Sequence, residues 1–217
     1  MTGAQQGVPT GYAAIVDEVY ETLAALPRYD GAPPRDRLPP SGIYFFFERG
    51  EVVPWRGGRT DRVVRIGSHK RDGRLRERLS YHYQTRRLSV FRKHVGGALL
   101  QRDNPSDPRL KTWLRGDGPS LPAVEARVDQ RLRDDFSYAC LRVDNQRDRV
   151  ELERGLIALV ARHSPGEPSP TWLGRYAVAE RIRCSGLWNT QHVNGDRLTR
   201  DQVLRLGQLG AGSADEL

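Results

Sequence analysis

Glu153 stands where an apolar residue belongs. On a helix that starts near Arg147, its neighbours in projection are Val150, Leu156, Ile157 and Val160, so the acid faces a buried stripe. An ionised carboxylate there costs several kcal/mol unless a cation compensates. A divalent metal would do so, and so would an arginine such as Arg149. Arg78 and His82, four residues apart, share a helix face beside Leu75 and Leu79. At the edge of a cleft, such a pair could bind a phosphoryl group and move a proton. Taken alone, His82 reads as a satisfied, half-buried histidine. Tyr44 lies in SGIYFFFE (Ser41–Glu48), where alternation sets Tyr44 and Phe46 on one face and Ile43, Phe45 and Phe47 on the other. Its hydroxyl could serve a cleft on that face, though in isolation Tyr44 reads as a structural tyrosine.

These side chains need elements to hold them. Strands are predicted over Gly42–Glu48, Arg62–Ile66 and Phe136–Val143, the first two paired as a hairpin with a long loop around RGGRT (Arg56–Thr60). Helices are predicted over Ala13–Leu26, Gly73–Gln84, Pro122–Asp134, Arg147–Arg162 and Arg175–Arg183, with a shorter helical piece at Phe91–Leu100. Thr199 caps a last helix that runs to about Leu206, followed by a disordered tail. RDNPSDPR (Arg102–Arg109) reads as a loop rich in turn residues. The expected fold is therefore α+β, a small three-stranded antiparallel sheet flanked by helices. The expected organisation is an N-terminal helical extension over 1–40, a core domain over 41–195 carrying an insertion at 87–135, and a C-terminal helix and tail over 196–217.

Charge suggests the partner. The chain of 217 residues carries a formal net charge of +8, and all but three of its 35 basic residues are arginines. Arginine suits bidentate phosphate contacts and stacking on bases. Between Arg56 and Arg102 there are 14 cations against three acids, a net of +11 that exceeds the whole chain's balance. This segment, with Tyr81, Tyr83 and Phe91 interleaved, reads as a nucleic-acid-facing surface. Its candidate contacts are His69, Lys70, Arg74, Arg86, Arg87, Arg92 and Lys93. Two cysteines, Cys140 and Cys184, make neither a disulfide framework nor a zinc site. There is no signal-peptide pattern and no apolar run near the ~18 residues that span a bilayer, so a cytoplasmic protein without membrane association is expected.

Together these residues resemble the GIY-YIG nuclease superfamily, and specifically its restriction-enzyme branch. GIY stands at Gly42–Tyr44, and RIG at Arg65–Gly67, where the family usually has YIG. RLRERLSYH (Arg74–His82) is similar to the family's first helix, LERGLI (Leu152–Ile157) to its glutamate helix, and LWN (Leu187–Asn189) could supply its late asparagine. The resemblance implies a metal-dependent DNA endonuclease, with Mg²⁺ (or Mn²⁺) held on Glu153. It implies Arg78 neutralising charge on the phosphate, and Tyr44 positioning or deprotonating the attacking water with His82 as proton acceptor. It places Asn189 near the metal or Tyr44. A free tyrosine titrates near about 10, so a basic role requires help from cations such as Arg65 or Arg78.

Arg65 departs from the family pattern, because a guanidinium cannot act as a base. It could still orient a phosphate, with His69 standing in for the missing tyrosine. The departure leaves open a non-catalytic nucleic-acid-binding module of the same fold, and a nuclease acting on RNA or branched DNA is a further alternative. A restriction-type enzyme is expected to be a homodimer on double-stranded DNA.

Overall fold

The computed structural model describes residues 10–84, 89–116 and 119–214. One antiparallel sheet contains β1 (Arg28–Asp30), β2 (Gly42–Trp55), β3 (Gly58–Gly67) and β4 (Phe136–Arg142), in the order β1-β4-β2-β3. The class is α+β as predicted, with four strands rather than three. The extra strand, β1, is too short to show a pattern, and its pairing with Ser137–Ala139 of β4 defines it.

The hairpin also differs from expectation. β2 and β3 continue past their apolar runs to a tight turn, where Arg56 and Gly57 take φ of 47° and 76° and Trp55 pairs with Gly58. Two positive φ values are what a two-residue hairpin loop requires. The register slips twice, between Phe46 and Phe47 and between Phe47 and Val52. The second slip bulges Glu48–Glu51 out of the ladder and turns two acids inward. Glu48 accepts from the indole N–H groups of Trp172 and Trp188 at 3.0 and 3.1 Å and pairs with Arg131 at 2.7 Å. Glu51 pairs with Arg62 at 2.8 Å.

Helices cover both faces. On one side α1 (Thr10–Ala24), α6 (Gln146–His163) and α8 (Arg200–Ala214) bury Val19, Leu156 and Leu206 against Ile43, Phe45 and Phe47. On the other, α2 (Leu75–Tyr83), α3 (Val90–Asp103) and α5 (Pro122–Asp135) bury Leu79, Phe91 and Leu132 against Tyr44, Phe46 and Tyr138. A short helix, α4 (Arg109–Arg115), carries Trp113 onto Gly96 of α3 in a segment where no helix was expected. The helix expected at 175–183 is instead a 3-10 turn at Leu173–Tyr176 followed by α7 (Glu180–Ser185). The first residues of the expected loose tail extend α8 to Ala214, and 215–217 lie outside the described residues. Among the described residues no helix is long and apolar enough to cross a membrane.

Candidate active site

The end of the sheet where β2 begins and β3 finishes opens into a cavity of about 730 Å³. Tyr44, Arg65, Arg78, Glu153 and Asn189 all line it, although they come from β2, β3, α2, α6 and the loop after α7. Two glycines make this convergence possible. A β-carbon on Gly42 would lie 2.1 Å from the Leu141 carbonyl oxygen, so no side chain fits where β2 crosses β4. A β-carbon on Gly67 would lie 2.3 Å from the Tyr44 hydroxyl, so the phenol rests across bare backbone of β3.

Tyr44 is buried among Phe46, His82 and its strand neighbours, and its hydroxyl meets the His82 Nε2 at 3.0 Å. His82 differs from expectation: it sits behind Tyr44, fully buried, rather than at the cleft edge. Its Nδ1 lies 3.1 Å from the Ser89 hydroxyl, which also caps α3 by accepting from the Arg92 N–H. Burial, then the cations Arg65, Arg78 and Arg92, push the imidazole well below the usual histidine range. A neutral ring that donates from Nδ1 to Ser89 presents the Nε2 lone pair to Tyr44; this tautomer is assigned from the network.

Glu153 is half-buried at the mouth and not sealed in the core. Ser68 holds both carboxylate oxygens, its N–H donating to Oε1 at 3.1 Å and its hydroxyl to Oε2. Arg149, the alternative partner weighed from the sequence, is engaged elsewhere. It reaches the carbonyls of His69 and Val143 at 3.3 and 3.0 Å and Asp72 at 2.6 Å. Arg149 thus pins the loop carrying Ser68 onto α6, leaving Glu153 facing the cavity.

Arg65 is buried beside Tyr44, where its Nη1 donates to the Trp188 carbonyl at 2.9 Å and its guanidinium lies over Phe91 at 4.9 Å. Burial lowers its affinity for the proton, and the Tyr44 phenol and the Glu153 carboxylate work against that shift. Asn189 does not point its amide at a metal or at Tyr44. It accepts from Ile66 N–H at 3.0 Å and donates to Ile66 C=O at 2.8 Å, while the Trp188 N–H reaches Val64 C=O at 2.7 Å. Leu187–Asn189 is therefore laced to the outer margin of β3.

The cationic surface divides. Lys70, Arg71, Arg74, Arg78 and Arg154 ring the mouth. Arg74 also pairs with Glu77 at 2.7 Å. Arg92 is not on this surface: it is fully buried and bonded to Glu125 and Asp129 of α5. Lys93 is half-buried and does not line the cavity. His69 is a structural residue, accepting from the Gly42 N–H at 3.0 Å through Nε2 and donating to the Arg71 carbonyl at 2.6 Å through Nδ1. With both nitrogens engaged it has no free group for a phosphate or a water, and burial lowers its pKa. Arg86 and Arg87 lie outside the described residues. No pattern in the sequence pointed to Ser68, Arg154 or His192, all of which line the cavity. Ser68 follows Gly67 directly, but nothing in a lone serine announces a partner 85 residues away.

The model of the GIY-YIG domain matches residues 9–206 of this chain. The chain belongs to the GIY-YIG family. In GIY-YIG terms, the first motif is Gly42–Tyr44 and the second is Arg65–Gly67, and the match takes in every described element except the end of α8. No curated protein and no solved structure matches the chain.

Proposed function

We propose that this GIY-YIG protein is a metal-dependent endonuclease that hydrolyses phosphodiester bonds of double-stranded DNA, serving restriction or defence. The observation that carries the reading is the meeting, in one cationic cavity, of a Tyr44–His82 proton pair, the Arg78 guanidinium and the Glu153 carboxylate.

The chain's own residues divide the work. Five mouth cations draw the phosphate backbone in. Tyr44 donates a hydrogen bond to His82 Nε2, which leaves the phenol oxygen's lone pairs to hold and orient the attacking water. Arg65, fixed to Trp188, stabilises negative charge that develops beside the Tyr44 oxygen as the water attacks. Arg78 neutralises charge building on the phosphate. Asn189 acts as a positioning residue that keeps β3, and so Arg65 and Gly67, in place. Among the described residues no cluster of three metal-ligating side chains occurs, so a resident metal would rely on Glu153 plus phosphate and water oxygens. That donor set fits Mg²⁺ or Mn²⁺, hard cations that keep several waters. Bound there, the ion would supply Lewis-acid stabilisation of the departing 3′ oxygen. A two-fold dimer would present two such cavities to the two strands.

Arg65 favours one other reading, a nucleic-acid-binding module without chemistry, since it occupies the position of the family's second tyrosine. Incubation with plasmid DNA and Mg²⁺, against an EDTA control, separates the two. Discrete or smeared fragments only with metal support the nuclease, and intact plasmid with retained binding supports the module.

A further inference from the structure

Resting on the nucleic-acid reading of the cavity, we infer that His192 is a substrate-contact residue, donating a hydrogen bond to a phosphate oxygen of the bound strand on the Glu153 side. The observations are independent of the family motifs. His192 lies three residues past Asn189 and lines the cavity with Glu153, Arg154 and Ile157 of α6. Its backbone has φ of 64°, in the left-handed region where a β-carbon is uncommon. Only one other described non-glycine residue, Arg56, shares that sign, and the tight hairpin turn demands it there. No turn of that kind constrains His192. It opens a turn closed by the Gly195 N–H to its carbonyl at 2.9 Å, a place glycine or asparagine would fill more easily.

The surrounding loop is tied to its neighbours by residues other than His192. Asn189 is fixed to Ile66, the Thr190 carbonyl to Arg181, the Gly195 carbonyl to Arg162, and Val193 is in the core. Among the described residues the His192 ring has no hydrogen bond, ion pair or ring contact. A half-buried ring on a strained backbone, with no hydrogen-bond partner among the described residues and with the cavity beside it, is available to what enters the cavity. Charge explains what it adds. Lys70, Arg71, Arg74 and Arg78 gather on the β3–α2 side, whereas on α6 Arg154 is balanced by Glu153. On the α6 side Arg154 offers a donor beside the acid Glu153, and His192 adds a second one to a phosphodiester lying between the two walls.

The test uses His192→Gly and His192→Asn, both compatible with a positive φ. Affinity is measured in the Glu153→Gln background, where no cleavage intervenes, with a labelled linear double-stranded DNA fragment as probe. Cleavage is measured with Glu153 intact, and thermal midpoints are taken for all variants. The expected result is a thermal midpoint within about 2 °C of the parent. Binding and cleavage should each fall about ten- to a hundredfold, the usual cost of one hydrogen bond to a charged group. Unchanged affinity and rate in both variants overturn the assignment. A large drop in thermal midpoint with affinity retained overturns it too, by making His192 a structural pin. If the parent binds DNA without cutting it, the nuclease reading fails while the affinity arm still decides His192. If the parent binds no DNA, both fail together.

Discussion

The Tyr44 hydroxyl and the His82 Nε2 stand 3.0 Å apart inside the protein, with the far side of the imidazole anchored on Ser89. Tyr44→Phe should therefore lower single-turnover DNA cleavage by about 10²-fold or more, the cost of a misplaced attacking water. It should cost only about 1–3 kcal/mol of stability, from the acceptor it strands on His82. A Tyr44→Phe protein that cuts at the parental rate would remove the phenol from the mechanism.

Glu153→Gln keeps an acceptor for Ser68 and removes the charge. Metal-dependent cleavage should vanish, while the thermal midpoint and DNA affinity hold or rise slightly. Unfolding together with lost binding would make Glu153 a structural acid. Ser68→Ala should raise the Mg²⁺ concentration for half-maximal cleavage, because the carboxylate then loses the hydroxyl donor to Oε2 while the backbone N–H to Oε1 remains.

Arg92 and the mouth cations should behave oppositely. Arg92→Met leaves Glu125 without this cation and Asp129 to Arg133 at 3.7 Å, and breaking a buried pair of this kind costs about 3–5 kcal/mol. A fall of several degrees in thermal midpoint should result. Lys70→Ala and Arg71→Ala should leave stability alone and reduce the salt dependence of DNA binding by nearly one unit each in log–log slope. An Arg92→Met protein of parental stability would contradict its burial.

Acid should destabilise the fold from about pH 6.5 downward. His69, His82, His163 and His94 all titrate below the ordinary value in the folded chain, His94 at about 4, with burial the leading cause. The unfolded chain binds those protons at about 6.5, so their contribution is complete above that pH and lost as pH falls towards the folded values. Glu48, raised by burial, works in the other direction, but it is one group against four. Thermal midpoints between pH 8 and pH 5 should decline, and His82→Gln should flatten part of that decline. A midpoint that climbs on acidification would reverse the sign argued here.

Periodicity made the three main strands and the major helices legible, along with the face of β2 that Tyr44 occupies, because burial imposes those patterns locally. It could not reveal β1, which exists through β4, or the bulge at Glu48–Glu51, whose acids find partners as distant as Trp188. The same limit misplaced Arg92. A cation in a basic stretch looks solvated until Glu125 and Asp129, more than thirty residues on, fold over it. Asn189 was located by type and order, yet its attachment to Ile66 is a long-range bond that no spacing encodes.

The lacing of Trp188 and Asn189 along β3 has a consequence for assembly. Their bonds occupy the Val64 carbonyl and both backbone polar groups of Ile66, and the opposite margin of the sheet is a strand of only three residues. A second copy therefore finds little template for strand-by-strand polymerisation along Val64–Ile66 or at β1, which guards the protein against runaway stacking there. Any symmetric pairing on DNA must be made through helices or loops.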